Sequence, residues 1–309
     1  MLLGTLLDAG GHEVSFRGRG DRERPVNRIR LVLPGGWMTS GPFLRPAVAQ
    51  AGAEATLVTM ARHHLHAVRR PDFLRMAGAG EGPVAFFNAG GPDMDRLGIP
   101  PGRQKLCVSL LTASTLQDGD VELAPGKSVV LHEKSSALTD CFAALPKFGI
   151  QVLAVDDAQP QANSLLLLQL LSLPVAMCNA TLDSFLAEPE GRRLAAEVLA
   201  EGFTAMERAG LPVAHLPVMD PRDLLARLQK RPSSFAGAGS VPDRAYNTVL
   251  RSFLRGRPTE ASHINRRIVE IGSSAGLHLT WNWRLLQKSS RISGLGFYRD
   301  PAELLRSLE

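Results

Sequence analysis

Cysteine is scarce in this chain of 309 residues, which contains only Cys107, Cys141 and Cys178. These three are widely spaced and form no C-x-x-C or Cys/His ligand pattern. The sequence therefore excludes a disulfide scaffold and a structural zinc site. Aromatic residues make up only 6% of the chain, which is too few for a stacking platform that binds single-stranded nucleic acid.

Long apolar runs are also missing. The most apolar stretch, Leu165–Cys178, is interrupted by Gln169, Ser172 and Pro174. It is shorter than the roughly 20 apolar residues that a membrane-spanning helix needs. We therefore expect a buried helix here, no membrane contact and, because no signal-peptide pattern opens the chain, a cytoplasmic protein.

Charge of one sign is not concentrated anywhere. The 35 Lys and Arg residues against 30 Asp and Glu residues give a net charge of +5, and the arginines are scattered. A solvated, slightly basic surface explains this charge, so we expect no nucleic-acid partner.

The length indicates two domains, and the two parts of the chain have different patterns. Residues 1–161 contain short apolar runs, several of which are apolar throughout, as strands covered on both faces are. These runs are residues 29–33, 55–60, 83–87, 105–110, 128–131 and 150–155. A turn pattern over residues 118–127 predicts that the sheet ends in antiparallel strands. Residues 156–162 form the best candidate linker.

Residues 162–309 have a helical pattern. Apolar residues recur at helical spacing from Leu194 to Met206, and Gly210 follows as a stop signal. Asp220-Pro221 and Asp300-Pro301 each place a capping residue before a proline at the first helical position. Asp243 and Thr259 predict two further helix starts. The fold class predicted is an α/β Rossmann-like domain over residues 1–161, followed by an all-α domain over residues 162–309.

The first residues resemble part of a dinucleotide-binding unit. An apolar helix ends at Gly10, and a strand follows that ends in Arg17-Gly18-Arg19. An arginine at the end of the second strand of such a unit binds the 2′-phosphate of NADP. The first strand and the G-x-G-x-x-G loop that should precede the helix are absent before Met1. Either the true start of the protein lies upstream, or the chain has lost the ability to bind the cofactor.

A second motif lies near the carboxyl end. It consists of Arg257, Thr259, Glu260, Ile264, Asn265, Gly276, Thr280, Asn282 and Leu285. This pattern resembles the C-terminal signature of the ketopantoate reductase (2-dehydropantoate 2-reductase) family, although Arg266 and Trp281 replace its usual Gly and Pro. The same register extends over nearly the whole chain. It places Arg19 on the NADP-selecting arginine and Asn88 on a strand-end cofactor motif.

The resemblance implies NADPH-dependent reduction of a small 2-keto acid, as in pantothenate biosynthesis, by a protein that forms a homodimer. In that family the cofactor gives a hydride, a lysine donates the proton, and Asn, Ser and Glu side chains hold the substrate. Carried over by register, Glu260 matches the substrate-binding glutamate, Thr248 matches the serine, and Asn247 lies near the asparagine.

The catalytic lysine of the family falls on Ser164, and the two asparagines after it fall on Leu168 and Ser172. A second lysine, at a strand end, falls on Ala61 or Arg62. We therefore expect an altered substrate, with Ser164 and Glu260 as the catalytic positions. Arg62, together with Arg17, Arg19 and Asn88, is expected at the cofactor.

The proton donor is left open by this register. Arg62, His63 or His64 can take part of the role of the lysine, because an imidazole acts as an acid near neutral pH. Lys147 is the other candidate, if the register shifts. The alternative hypothesis is a non-catalytic homologue that acts as a binding or interaction protein. An in-frame strand and glycine loop upstream of Met1 would favour the reductase.

Overall fold

The computed structural model covers two compact units, Met1–Gln159 and Pro160–Glu309. It describes residues 3, 6–7, 11–12, 14, 29–33, 36–40, 54–59, 65, 69–77, 81–88, 92–111, 113–115, 121–123, 128–217, 219–230, 260–290 and 297–309.

Two sheets form the framework of the first unit. Their strands are β1 (Ile29–Leu33), β2 (Gly36–Ser40), β3 (Thr56–Val58), β4 (Val84–Phe87), β5 (Gln104–Ser109), β6 (Ala113–Thr115), β7 (Val121–Leu123), β8 (Ser128–Glu133) and β9 (Ile150–Val155). The larger sheet has the order β3-β4-β5-β8-β9, and the smaller one has the order β2-β1-β7-β6. All six strands predicted from apolar runs are confirmed.

The larger sheet is mixed. Its neighbouring strands are parallel except for β5 and β8, which pair antiparallel. The predicted antiparallel end is not found in this sheet, because β9 continues it in parallel beyond β8. The smaller sheet does end in an antiparallel pair, β6 and β7. The strand β2 was not predicted from the sequence. It forms an antiparallel hairpin with β1, in which Leu33 lies opposite Gly36.

Apolar side chains cover both faces of the larger sheet. Strand β4 is buried throughout, and its residues alternate between two clusters. Ala85 and Phe87 pack in one cluster with Leu6, which belongs to a helical turn near the amino end. Val84 and Phe86 pack in the other. Each fully buried Phe stabilises the fold by about 1.5–3 kcal/mol, so burial on both faces explains the unbroken apolar run.

Short helices connect these strands. They are α1 (Arg70–Ala77), α2 (Pro92–Asp95) and α3 (Ser136–Phe142), together with 3₁₀ turns at Pro101–Arg103 and Leu145–Phe148. Helix α3 contributes Leu138 and Phe142 to the cluster that contains Phe87, and the rings of Phe87 and Phe142 meet edge to face. The chain thus covers one face of the sheet with α3 and with the turn that contains Leu6.

The second unit is helical in its described residues. Its helices are α4 (Gln159–Gln169), α5 (Ser172–Met177), α6 (Leu182–Ala187), α7 (Pro189–Arg208), α8 (Pro221–Gln229), α9 (Glu260–Ser274), α10 (Thr280–Ser289) and α11 (Pro301–Leu308). The long helix α7 contacts α6, α8, α9, α10 and α11. Gly202 of α7 permits close packing, since a Cβ there would lie 2.7 Å from side-chain carbons of Leu167 and Leu170.

The predicted fold class, a Rossmann-like α/β domain followed by an all-helical domain, is confirmed. Two details differ from the sequence predictions. The buried stretch Leu165–Cys178 forms parts of two helices, because the chain turns at Leu170 and Leu171. The predicted linker is already helical from Gln159 onward. The helix predicted after Asp243 and most of the strand predicted after His12 lie outside the described residues.

Within the described part of the chain, no helix combines the length and apolar character needed to cross a lipid bilayer.

Candidate functional site

Glu260 is the first residue of helix α9 and is partly buried. A carboxylate in the first turn of a helix interacts favourably with the helix dipole. The next apolar residues of the helix, Ala261 and Ile264, are buried and fix its orientation in the second unit. The side chain of Glu260 is thereby held at a defined end of a packed helix.

A buried polar network joins α9 to α10 and α7. Asn265 is fully buried, and its Nδ2 donates to Oδ1 of Asn282 at 3.0 Å. The Nδ2 of Asn282 donates in turn to the Val198 carbonyl at 3.1 Å and to a Glu201 carboxylate oxygen at 3.0 Å. Buried polar groups are stable only when they are hydrogen-bonded, so this network fixes how the three helices meet.

Glu201 also caps helix α10. Its carboxylate accepts hydrogen bonds from the backbone amides of Trp281, at 2.8 Å, and Asn282, at 2.9 Å. The residue at the N-cap position is Leu279, which has no polar side chain. A helix of the same unit therefore supplies the acceptor that a capping residue would normally provide. Glu201 was not predicted, because no motif around it marks it as a cap; the apolar N-cap residue Leu279 indicates only that the acceptor must come from elsewhere in the chain.

Ser164 lies in α4 and is fully buried. Its hydroxyl lies 2.9 Å from the Pro160 carbonyl and 2.5 Å from the Ala214 carbonyl, to either of which it can donate its proton. Leu168, one turn further along α4, is also buried, and the Ser172 hydroxyl donates to the Gln169 carbonyl at 2.6 Å. These hydroxyls satisfy backbone carbonyls, and the catalytic role of Ser164 stays a prediction.

Asn88 follows strand β4 at the carboxyl edge of the sheet, with a positive φ of 58°. Its side-chain Oδ1 accepts a hydrogen bond from the Ser109 amide at 2.9 Å, and its own amide donates to the Cys107 carbonyl at 2.9 Å. Asn88 thus ties the ends of β4 and β5 together at the edge where parallel α/β sheets bind ligands.

The other predicted site residues lie outside the described residues. These are Arg17, Arg19, Arg62, Asn247 and Thr248, together with the alternative acids His63 and His64. Glu260 and Ser164 lie in the helical unit and Asn88 in the sheet unit, while Lys147 is exposed in a 3₁₀ turn of the sheet unit. Within the described residues, Glu260 begins α9, Ser164 lies in α4 and Asn88 follows β4.

A cavity of about 220 Å³ lies between helix α8 and the segment before it. It is lined by His215, Leu216, Pro217, Met219, Asp220, Asp223, Leu224 and Arg227. The His215 ring donates from Nδ1 to Oδ2 of Asp220 at 2.8 Å. The His215 side chain is 72% exposed, whereas the Asp220 side chain is 7% exposed. From the sequence, Asp220 was predicted only as a helix cap, and His215 was not predicted as a site residue.

The surroundings of the three cysteines make their thiols poorly reactive. Burial is the largest cause that raises the pKa of each thiol, to about 11 for Cys141 and about 12 for Cys178. Burial also raises the pKa of Cys107 far above its ordinary value. Because the thiolate is the nucleophile, none of these thiols is suited to covalent catalysis. In the described ranges, no group of three or more His, Cys, Asp or Glu side chains could hold a metal ion.

The fold and these contacts define a two-domain protein in which a Rossmann-like unit precedes a helical unit that contains the Asn265–Asn282–Glu201 hydrogen-bond network. Residues 165–292 match the family model described as the C terminal of ketopantoate reductase PanE/ApbA. This part of the helical unit therefore resembles the C-terminal part of ketopantoate reductases, and the predicted resemblance is confirmed. No curated protein matches the chain.

Solved structures match the whole fold. 2-Dehydropantoate 2-reductase from Geobacter metallireducens has a TM-score of 0.70 at 15% identity, over 94% of this chain and 95% of that one. D-mandelate dehydrogenase, solved with NADH, has a TM-score of 0.70 at 13% identity, over 94% of this chain and 96% of that one. A dimeric ketopantoate reductase from Staphylococcus aureus has a TM-score of 0.67 at 13% identity, over 94% of this chain and 93% of that one. At these identities the matches establish the shared fold.

Proposed function

We propose that the chain is an NADPH-dependent oxidoreductase that reduces the ketone of a small 2-keto acid. The observation that carries this proposal is the Asn265–Asn282 bond, which holds α9, and with it Glu260, in the helical unit. The range matched by the family model includes both asparagines, and this supports the proposal. In this frame, the Glu260 carboxylate accepts a hydrogen bond from the 2-hydroxyl group that reduction of the ketone creates.

The substrate proposed is less polar than ketopantoate. Leu168 stands where the register expects an asparagine, and its side chain is buried. A substrate hydroxyl directed at Leu168 would lose its hydrogen bond, which costs about 1–3 kcal/mol. A 2-keto acid with an alkyl side chain avoids this cost, so the pantothenate pathway is the less favoured role.

The described residues fit a nicotinamide cofactor at the carboxyl edge of the larger sheet. Strands β3, β4 and β5 are parallel there, and Asn88 joins the last two. Arg17 and Arg19 would bind the ribose phosphate, and Arg62 and Asn88 would contact the cofactor near the strand ends. When bound, the reduced cofactor supplies the hydride. Tighter binding of NADPH than of NADH in fluorescence titrations is the expected result.

A matched pair of variants tests the role of Glu260. We expect Glu260→Gln to lower kcat/KM for 2-oxobutanoate about 10- to 100-fold, because a hydrogen bond to a charged group contributes about 1.5–3 kcal/mol. Glu270 lies on the same helix, is exposed and pairs with Arg267 at 3.9 Å. Glu270→Gln serves as the control and should change kcat/KM less than twofold. Equal effects of the two substitutions would remove Glu260 from the site.

A non-catalytic homologue is the second candidate, and the burial of Ser164 favours it. This position carries no charge and its hydroxyl is bonded to the backbone, so it cannot replace a lysine directly. The two candidates differ in turnover. A chain that binds NADPH but reduces none of 2-oxobutanoate, 2-oxoisovalerate and ketopantoate would be a binding protein.

We further propose that the chain forms a homodimer in the cytoplasm. The Staphylococcus aureus relative is described as dimeric. Trp283 on α10 is 43% exposed and gives the helical unit a large apolar group for such a contact. Sedimentation equilibrium tests this, and a monomer at micromolar concentration would contradict it.

A further inference from the structure

We propose that the cavity beside helix α8 is a binding site for a small protonated amine with a short alkyl chain. The residues that line it, from His215 to Arg227, all belong to the helical unit. The inference therefore concerns this unit alone, and it does not depend on the proposed reductase function.

Hydrogen bonds hold both walls of the cavity in place. One wall is the segment before α8, which the Asn163 Nδ2 ties to helix α4 by donating to the Pro212 carbonyl at 2.8 Å. The other wall is α8 itself, from which the Arg222 guanidinium donates to the Val213 carbonyl at 2.7 Å. Leu224 is buried and anchors α8 in the unit. Because the cavity is already formed by these contacts, binding requires little ordering of the chain.

The polar groups of the lining that stay free for a ligand include two acceptors. Oδ1 of Asp220 accepts the Arg222 amide at 2.7 Å, and Oδ2 accepts the His215 Nδ1 proton at 2.8 Å. With its proton on Nδ1, a neutral imidazole presents Nε2 as an acceptor. Asp223, in the first turn of α8, has no hydrogen-bond or ion-pair partner among the described residues. An ammonium group has three donors and no acceptor, so it complements the Asp223 carboxylate and the His215 Nε2.

The charges of the lining favour the same ligand. Asp220 and Asp223 contribute two carboxylates, which outweigh the positive end of α8, equivalent to about half an elementary charge. Arg227 also lines the cavity, but it already has a partner. An anionic ligand would meet the two carboxylates, so it should bind more weakly than a cation of the same shape.

The rest of the lining suits an alkyl chain. It consists of the side chains of Leu216, Pro217, Met219 and Leu224, and the removal of apolar surface from water favours contact between them and a hydrocarbon chain. The volume of about 220 Å³ lies below the roughly 300–1,000 Å³ of sites for drug-sized ligands. The ligand must therefore be small, and n-butylammonium is a suitable probe.

Binding is tested by NMR on the full chain with its histidines labelled at Cε1. The titration with n-butylammonium chloride is made at constant ionic strength and about pH 8.5, where an imidazole is ordinarily neutral and an alkylamine is charged. The His215 signal is identified by its loss in His215→Gln. We expect it to shift in a saturable way with a Kd in the millimolar range, because the Asp223 carboxylate is exposed. His278, which is exposed and contacts the Trp283 ring, serves as the control and should not shift.

Two ligands with the same alkyl chain test the role of charge. Butanoate should bind about tenfold more weakly than n-butylammonium, and uncharged 1-butanol about threefold more weakly. A His215 signal that n-butylammonium does not move overturns the inference. Equal affinity for butanoate or for 1-butanol overturns it as well, because the site would then not select a cation.

A matched pair of variants tests the Asp223 carboxylate. Asp223→Asn keeps the size of the side chain and removes its charge, so n-butylammonium should bind about threefold more weakly. Asp183, exposed in the first turn of α6, provides the control, and Asp183→Asn should leave the Kd unchanged. The same Kd in both variants would refute the assignment of Asp223. A chain that binds the amine and reduces no keto acid contradicts the reductase proposal and leaves this inference standing.

Discussion

The stability of the helical unit depends on the Glu201 carboxylate, and the substitution Glu201→Ala tests this dependence. The substitution removes the acceptor of three hydrogen bonds, at 2.8, 2.9 and 3.0 Å, two from backbone amides and one from the Asn282 side chain. It leaves the first turn of α10 uncapped, because Leu279 has no polar side chain to take over.

The expected loss follows from these contacts. Hydrogen bonds to a charged group contribute about 1.5–3 kcal/mol each, and loss of a helix cap costs about 1 kcal/mol. The three bonds share one carboxylate and the amides regain contact with water, so the losses do not add. We expect Glu201→Ala to lower the free energy of unfolding by about 3 kcal/mol, which for a unit of this size lowers Tm by about 6–12 °C.

Urea unfolding followed by tryptophan fluorescence measures this loss. Two of the three tryptophans, Trp281 and Trp283, lie on α10 itself, so the signal reports mainly the helical unit. Glu207→Ala is the control, since Glu207 is exposed on the same helix, and it should change the free energy by less than about 0.5 kcal/mol. A Glu201→Ala variant within 1 kcal/mol of this control would refute the role of the carboxylate as a cap.

Two further predictions concern packing and thiol reactivity. A Cβ at Gly191 would lie 1.9 Å from the Phe185 carbonyl oxygen, so Gly191→Ala should cost about 3 kcal/mol or more in urea unfolding, whereas Gly102→Ala, with open space around it, should be nearly neutral. Iodoacetamide at pH 8 should label Cys141 and Cys178 slowly in the folded chain and quickly in urea, because burial raises their thiol pKa to about 11 and about 12. Fast labelling of the folded chain, seen by mass spectrometry, would contradict the burial of these thiols.

The strands could be predicted where burial dictates the sequence. Strand β4 is apolar at every position because both of its faces are covered, and this leaves an unambiguous run of four apolar residues. Strand β2 contains Gly36 and Ser40 and was missed, because its sequence has no such run and its pairing with β1 is set by the hairpin. Its formation depends on the neighbouring strand more than on its own residues.

The site was predictable to the extent that its residues are close in sequence. Asn265 and Asn282 belong to one motif, and the structure brings their side chains together at 3.0 Å. Glu201 lies 81 residues before Asn282 and has no motif of its own, so nothing in the local sequence marked it. His215 was also not predicted, because its partner Asp220 precedes a proline and was interpreted only as a helix cap.

Helix α4 gives a physical reason for the serine at position 164. A lysine at position 164 would stand where the structure has a fully buried side chain, two carbonyl acceptors and no described carboxylate partner. A buried ammonium without a counter-ion is strongly disfavoured, so the chain gains stability by having serine there.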